Sequence, residues 1–233
     1  MIETIVSSTA GLTLLGGGHL GTNDLSDALS LAPDLVAADG GAAAALAQGN
    51  TPLAVIGDMD SLQPRDQARL PDGALHHVAE QDSTDFDKVL ARVAGPFALG
   101  VGFLGRRIDH QLANLHALVR LRHMPCLLIG ERDVVFAAPP RIALALSAGT
   151  RVSLFPLAPV GGTSDGLHWP IDGLAFSPWE RHGTSNRVAD GASGVRLEMG
   201  GAGLIVILPR AALAAAVAGL RAAPLWPEPA RAG

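Results

Sequence analysis

Short apolar runs alternate with stretches of helical periodicity along the first 140 residues, and few architectures accommodate such an alternation. The runs cover residues 12–15, 35–38, 53–56, 97–104 and 127–129. Between them, apolar residues recur at helical spacing at Phe86, Val89, Leu90 and Val93, and again at Leu112, Leu115 and Val119. The alternation is typical of a parallel sheet covered by helices. It predicts an α/β fold with an N-terminal Rossmann-like parallel sheet and flanking helices over residues 1–140.

The pattern changes after Pro139 and Pro140. Strand-like runs at 142–146, 151–155, 195–199 and 204–208 are separated by Gly, Pro, Ser and Thr. They predict a smaller C-terminal all-β, sandwich-like domain over residues 141–223. The alanine-rich segment 211–222 predicts a closing helix, and the proline-rich segment 224–233 predicts a loose tail.

Composition argues against several classes of protein. The formal net charge is -5, and the Lys and Arg residues are scattered, so we expect no nucleic-acid partner. The longest apolar stretches are too short to cross a bilayer, and the first residues lack the pattern of a signal peptide. We therefore expect a cytoplasmic protein without a membrane partner, in which Cys126 is a buried, reduced thiol.

Polar residues follow the predicted strands, at the edge where open α/β sheets bind ligands. The loop 16–21 is rich in glycine and can let backbone amides, including those of Gly17 and Gly18, approach phosphate. Its letters also fit the GxGxxG pattern of dinucleotide-binding loops, with Asp39 near the spacing of a ribose-binding acid. Asp39 and Gly40 follow the second run. A nicotinamide-dependent dehydrogenase is therefore one alternative.

Two aspartates separated by one residue, Asp58 and Asp60, follow the third run. Both can reach one hard cation, and Mg²⁺ prefers oxygen ligands. The simpler interpretation of such a pair is a solvated turn.

Asp82, Asp85 and Lys88 are spaced by threes and so share one face of the next predicted helix. Lys88 suits a phosphate as a point charge. The simpler interpretation is that Asp82 or Ser83 caps the helix, while Asp85 favours its dipole.

Arg107 follows the fourth run, where it is either a surface residue or a phosphate clamp. Several carboxylates crowded at one sheet edge repel each other unless a cation lies among them. The joint placement of these groups therefore predicts Mg²⁺ that also holds substrate phosphates. A Walker-type loop is absent from the sequence.

In order and spacing, these motifs resemble those of thiamine pyrophosphokinases. The likeness extends over about residues 12–208, through the segments 39–41, 57–61, 82–85 with Lys88, 107–110, 112–115, 153–156, 166–170 and 184–186. Where that family usually has a second glycine before the arginine, this chain has Arg106.

The resemblance implies a homodimer with ATP and Mg²⁺ on the α/β domain and thiamine between the subunits. Metal ligands would be Asp58, Asp60, Asp82 and Asp85, which with Lys88, Arg107 and Asp109 form the implied catalytic set. Groups lining the nucleotide cleft would be Gly17, Gly18, Asp39, Gly40, Gln81, Thr84 and His110. Ser185 and Asn186 would meet thiamine. Trp169 can offer its ring to the cationic thiazolium or fill the β core.

The implied reaction is attack by the hydroxyethyl oxygen of thiamine on the β-phosphorus of ATP, with AMP leaving. Asp85 and Asp109 are both candidates for the base. A non-enzymatic thiamine- or nucleotide-binding module and a magnesium phosphohydrolase remain alternatives alongside the dehydrogenase.

Overall fold

The computed structural model describes residues 2–80, 82–105 and 107–227. Its contacts divide the chain into two compact units. The first comprises Met1–Ala117 with Cys126–Glu131, and the second comprises Leu118–Pro125 with Arg132–Gly233.

The first unit contains eight strands and the helices that connect them. The strands are β1 (Val6–Ser7), β2 (Leu12–Leu15), β3 (Asp34–Ala38), β4 (Ala54–Gly57), β5 (Leu75–His77), β6 (Val93–Ala94), β7 (Ala98–Val101) and β8 (Cys126–Ile129). The helices are α1 (Asp24–Leu31), α2 (Gly41–Ala47), α3 (Pro64–Gln67), α4 (Asp85–Leu90) and α5 (Ile108–Arg120), whose last residues belong to the second unit.

Six of these strands form parallel pairs in the order β8-β7-β2-β3-β4-β5. Every residue of β2, β4, β7 and β8 is buried. Strands covered on both faces read as continuous apolar runs rather than as alternating ones, which explains the pattern in the sequence. The parallel arrangement brings the carboxyl ends of these strands to one edge.

The second unit is built from antiparallel pairs. Its elements are β9 (Asp133–Ala137), β10 (Arg141–Leu144), β11 (Arg151–Pro156), β12 (Val160–Asp165), β13 (Ala175–Phe176), β14 (Gly183–Arg187), β15 (Val195–Met199), β16 (Leu204–Pro209), a 3₁₀ turn (Arg210–Ala212) and α6 (Leu213–Ala222). One group of strands has the order β14-β11-β16-β9 and the other has the order β10-β15-β12-β13.

The mixture of helices and strands agrees with the predicted α/β class, but the prediction of a separate Rossmann-like parallel sheet needs correction. The main sheet is mixed: its strands β2, β3, β4, β5, β7 and β8 form parallel pairs, whereas β9, β11, β14 and β16 form antiparallel ones. Apolar runs reveal that a strand is buried but do not fix the direction of its neighbours. None of the helices in the described part of the chain is long and apolar enough to cross a membrane.

Two of the predicted helical faces differ from the observed ones. Helix α4 ends at Leu90, and Val93 lies in β6 instead. In α5 the buried residues include Asn114, Ala117 and Leu118, whereas Leu112 is exposed.

Candidate active site

A cavity of about 740 Å³ lies in the first unit, where the loops after β2, β3, β4 and β7 meet. Its lining includes most of the residues predicted to surround a nucleotide. These are Gly17, Gly18, Gly40, Thr84, Asp85, Arg107 and His110, together with Ser61, Phe103 and Asn114 among others. The topology of the parallel strands thus assembles loops that are up to about 90 residues apart in the sequence.

The glycines of this cavity have different physical reasons for lacking a side chain. A Cβ on Gly18 would lie 2.3 Å from the carbonyl oxygen of Gly102, so internal packing requires glycine there. A Cβ on Gly17 would meet nothing nearer than 3.6 Å, and one on Gly40 nothing nearer than 3.4 Å. Packing does not demand glycine at Gly17 and Gly40, which leaves their main chain open to a ligand in the cavity.

Asp39, at the end of β3, is buried and holds the loop after β4. One of its oxygens, Oδ2, accepts a hydrogen bond from the backbone N–H of Ser61 at 3.3 Å. Its other oxygen, Oδ1, is buried and has no hydrogen-bond partner among the described residues. A buried carboxylate oxygen without a donor is costly, so this atom can bind a cation or accept a hydrogen bond from a ligand. Asp39 and Met59 both have positive φ, of 35° and 65°.

Lys88 connects two of the predicted carboxylates. Its Nζ donates to Asp58 Oδ2 at 3.1 Å and lies 4.0 Å from Asp85 Oδ1. The Lys88 side chain is only 3% exposed, whereas those of Asp58 and Asp85 are 22% and 52% exposed. Asp58 comes from the loop after β4 and Asp85 from the first turn of α4, so the ammonium joins two separate elements.

The surroundings of the two carboxyl groups shift their pKa values in opposite directions. The hydrogen bond from Lys88 lowers the pKa of Asp58, against the opposing effect of its partial burial. Burial raises the pKa of Asp85, and the negative charges of Asp39 and Asp58 add to the rise, while Lys88 opposes it. Asp85 is therefore the carboxylate more ready to accept a proton.

Thr84 caps helix α4. Its hydroxyl oxygen accepts a hydrogen bond from the backbone N–H of Asp87 at 3.2 Å, and its own N–H donates to the Asp87 carboxylate at 3.2 Å. This capping box replaces the cap expected from Asp82 or Ser83. Because the cap fixes the first turn, it also fixes where Asp85 projects.

Arg107 and Asp109 form a bidentate ion pair on the surface. Arg107 Nη2 donates to Asp109 Oδ2 at 2.6 Å and Nε donates to Oδ1 at 3.2 Å. The guanidinium lowers the pKa of Asp109 to about 2.

Arg107 and His110 line the cavity, and Asn114 holds the loop beside it by donating to the carbonyl of Phe103 at 2.7 Å. The sequence motif contains Asn114 but gives no sign of this role.

The predicted metal set is not assembled. Within the ranges that the structure describes, no group of three or more His, Cys, Asp or Glu residues is arranged to hold a metal ion. Asp60 and Asp82 are both exposed. Gln81, predicted to line the cleft, and Arg106, which departs from the family pattern, lie outside the described residues.

A second cavity, of about 380 Å³, lies within the second unit and is lined by Trp169, Asn186 and Phe176 among others. Asn186 is buried, and its amide bonds to both backbone groups of Trp169, accepting from N at 3.2 Å and donating to O at 2.7 Å. The Trp169 ring is 53% exposed, so it does not fill the core. Arg187 lies over this ring at 5.3 Å from its centroid.

Ser185 has a left-handed backbone conformation, with φ of 64°. Its N–H donates to the hydroxyl of buried Ser153 at 3.0 Å, and Arg151 donates to the same oxygen at 3.3 Å. The pairing of β11 with β14 shifts register at this point, between Val152 and Leu154. The motif around Ser153 draws attention to the segment, but a bulge that needs a hydroxyl partner has no signal in the sequence.

Comparisons with known proteins find a resemblance to one enzyme family. Residues 25–129 match the family described as "Thiamin pyrophosphokinase, catalytic domain". Thiamine pyrophosphokinase 1 of Oryza sativa subsp. japonica is 26% identical over 158 residues, which are 60% of this chain and 60% of that protein. The match thus covers less than two thirds of the length of this relative.

Solved structures show the same fold. The thiamin pyrophosphokinase from Candida albicans superposes with a TM-score of 0.71 at 15% identity, over 90% of this chain and 96% of that one. The thiamin pyrophosphokinase from Geobacillus thermodenitrificans gives 0.68 at 23% identity, over 85% and 96%. The resemblance predicted from the motifs is therefore confirmed.

Proposed function

We propose that this chain belongs to the thiamine pyrophosphokinase family and transfers pyrophosphate from ATP to the hydroxyethyl group of thiamine, giving thiamine diphosphate and AMP. The observation that carries the proposal is the cluster of Asp58, Asp85 and Lys88 beside a cavity lined by open glycine backbone. Such a cavity suits a polyphosphate, because it offers backbone amides together with the carboxylate of Asp85, which can share a cation with the phosphates.

The nucleotide would bind in the first unit. Packing does not require glycine at Gly17 and Gly40. Because these residues lack a Cβ, their main chain can approach the phosphates. Arg107 lines the same cavity and can contact a phosphate if it exchanges Asp109 for the ligand. Gly18 has a packing explanation instead, which weakens the dehydrogenase alternative built on the GxGxxG pattern.

We propose Mg²⁺ as the cofactor, held by Asp58 and Asp85, with Asp60 and Asp82 as further candidates. Magnesium commonly takes one or two carboxylates and completes its shell with water and substrate phosphates, so a preformed group of three ligands is not required. The unpartnered Oδ1 of Asp39 fits a nearby cation. When bound, the ion would neutralise charge on the phosphates.

The protein's own groups then have the following tasks. The hydroxyethyl oxygen of thiamine forms a bond to the β-phosphorus, and the bond from that phosphorus to the oxygen bridging to the α-phosphorus breaks, so that AMP leaves. Asp85 is the better of the two candidate bases for the hydroxyl proton, since its pKa is raised and that of Asp109 is lowered to about 2. Positioning and charge neutralisation supply most of the catalysis.

Thiamine would meet the second unit through Ser185, Asn186 and Trp169. The exposed face of Trp169 can stack on the cationic thiazolium, and Arg187, which now lies over the ring, would have to move. As the family resemblance implies, we propose a cytoplasmic homodimer with thiamine between subunits.

The test is to incubate the protein with ATP, Mg²⁺ and thiamine and to quantify products by chromatography. We expect AMP and thiamine diphosphate in equal amounts, and neither product without thiamine. Release of phosphate without an acceptor would indicate a phosphohydrolase, and binding of thiamine without AMP would indicate a binding module. Tighter binding of NADH than of ATP with Mg²⁺ would indicate the dehydrogenase.

A further inference from the structure

Lys88 is the only lysine in this chain. The sequence holds 17 Lys and Arg residues, and the other sixteen are all arginine. A chain that uses arginine at every other basic position has a compact ammonium at one place, and that place is the buried contact with Asp58. An ammonium is a point charge with three donors, whereas a guanidinium is a wide planar fork that needs more room.

The surroundings of Lys88 separate it from the ligand cavity. Its side chain is 3% exposed, and of the described residues the cavity lining takes in Thr84, Asp85 and Phe86 but not Lys88. Its backbone is fixed by helix α4, where its N–H donates to the carbonyl of Thr84 at 2.9 Å. A group in this position is poorly placed to touch a phosphate but well placed to hold carboxylates.

The charges around Lys88 do not balance. Asp58 Oδ2 and Asp85 Oδ1 lie 3.1 and 4.0 Å from its ammonium. Two carboxylates therefore share one built-in cation, and one buried oxygen, Asp39 Oδ1, has no donor among the described residues. The cluster of Asp58, Asp85 and Lys88 keeps a net negative charge that a divalent ion can neutralise. However, the ammonium is already hydrogen-bonded to Oδ2 of Asp58.

We propose that Lys88 is a positioning residue and the internal counter-ion of the Asp58 and Asp85 carboxylates. It holds the two carboxylates together in the free protein and competes there with a divalent cation. Free metal ion consequently binds weakly, and the ion enters together with the nucleotide phosphates that complete its shell. The inference rests on the cation of the proposed function, but its test needs neither thiamine nor turnover.

The test compares binding of free Mn²⁺ to the full chain and to Lys88→Met, by electron paramagnetic resonance without nucleotide. We expect Lys88→Met to bind Mn²⁺ on the order of tenfold more tightly, because the attraction of the carboxylates is no longer offset by the ammonium. Arg69→Met is the matched control, since it removes one positive charge from the same unit while its carboxylate partner is Asp66. It should leave Mn²⁺ affinity nearly unchanged.

Unchanged or weaker Mn²⁺ binding by Lys88→Met would overturn the proposal, because a merely structural or phosphate-binding lysine gives that result. If Lys88→Met does not fold, the single lysine gives a second test. In ¹⁵N-labelled wild-type protein its Nζ signal can be followed without mutation. We expect it to shift on addition of Mg²⁺ with ATP and to stay in place with ATP alone. A shift with metal-free ATP alone would show a direct phosphate contact and contradict the proposal.

Discussion

The cavity beside Gly17 and the cavity beside Trp169 are built from different chemistry. In the first unit, charged groups and glycine backbone come from loops that follow parallel strands, and two carboxylates lie within 4.0 Å of one ammonium. In the second unit, an amide, hydroxyl groups and an exposed indole lie on or beside β14, at the end of an antiparallel strand order. The first suits a ligand whose charge must be neutralised, and the second suits a ligand recognised by shape and a few hydrogen bonds.

The largest difference between the units is expected from removing one carboxylate. Asp85→Asn should lower turnover on the order of 100-fold, because it removes both a candidate base and a cation ligand. The matched change in the second unit is Asp165→Asn, which breaks an exposed ion pair with Arg196. Steady-state kinetics should show near wild-type turnover for Asp165→Asn. Equal losses in both variants would mean that charge in the first unit has no special role.

The next largest effect is expected on ATP affinity, from blocking a contact between the backbone and a phosphate. Gly17→Ala should weaken ATP binding about tenfold, because a methyl group would keep phosphate from the main chain and cost about one charge-assisted hydrogen bond. Gly201→Ala in the second unit is the control, since a Cβ there meets no atom within 4 Å. Calorimetric titration with ATP and Mg²⁺ measures both. Wild-type ATP affinity in Gly17→Ala would contradict the proposed contact between the main chain of Gly17 and a phosphate.

In the second unit the expected effects are smaller and fall on the acceptor. Ser153→Ala leaves the Ser185 N–H without its partner, which should lower the free energy of unfolding by about 1–3 kcal/mol. We expect the KM for thiamine to rise about fivefold and the KM for ATP to stay constant. Ser147→Ala, at an exposed position, is the control. A rise confined to the KM for ATP would contradict the division between the units.

The smallest effect concerns the surface pair of Arg107 and Asp109. Since the folded-state pKa of Asp109 is about 2, below its usual 3.8, the pair stabilises the fold above pH 3.8, and this contribution is lost as the pH falls toward 2. Arg107→Gln should raise the Asp109 pKa toward 3.8 in an NMR titration, with little change in thermal stability near neutral pH. Arg196→Gln should leave that titration unchanged. An unmoved Asp109 pKa in Arg107→Gln would show that the pair does not form in solution.

The sequence predicted the strand ends well and the contacts between them poorly. Spacing by threes placed Lys88 and Asp85 on one face of a helix, and the structure brings them within 4.0 Å. The stronger partner of Lys88 is Asp58, 30 residues earlier in the chain, and local periodicity cannot report such a contact. The cap at Thr84 was missed for a related reason, because Asp82, Ser83 and Thr84 are all good capping residues and only the start of α4 decides among them.

Features that depend on pairing between strands could not be predicted from the sequence either. Runs rich in apolar residues identified most of the long strands, but the mixed character of the main sheet follows from neighbours that periodicity does not specify. The bulge at Ser153 and the left-handed Ser185 depend on the register between β11 and β14. Roles that require one register, such as that of Ser153, appear only when the strands are paired.

The most direct test of the central claim is a crystal structure of the full chain with Mn²⁺ and α,β-methylene-ATP. In this analogue a methylene group replaces the oxygen that bridges the α- and β-phosphorus, so that the bond to the leaving AMP is not broken. We predict an anomalous Mn²⁺ peak beside Asp58 and Asp85, and the triphosphate against the main chain of Gly17 and Gly40. Nucleotide bound outside this cavity, or Mn²⁺ on carboxylates elsewhere, would contradict the account.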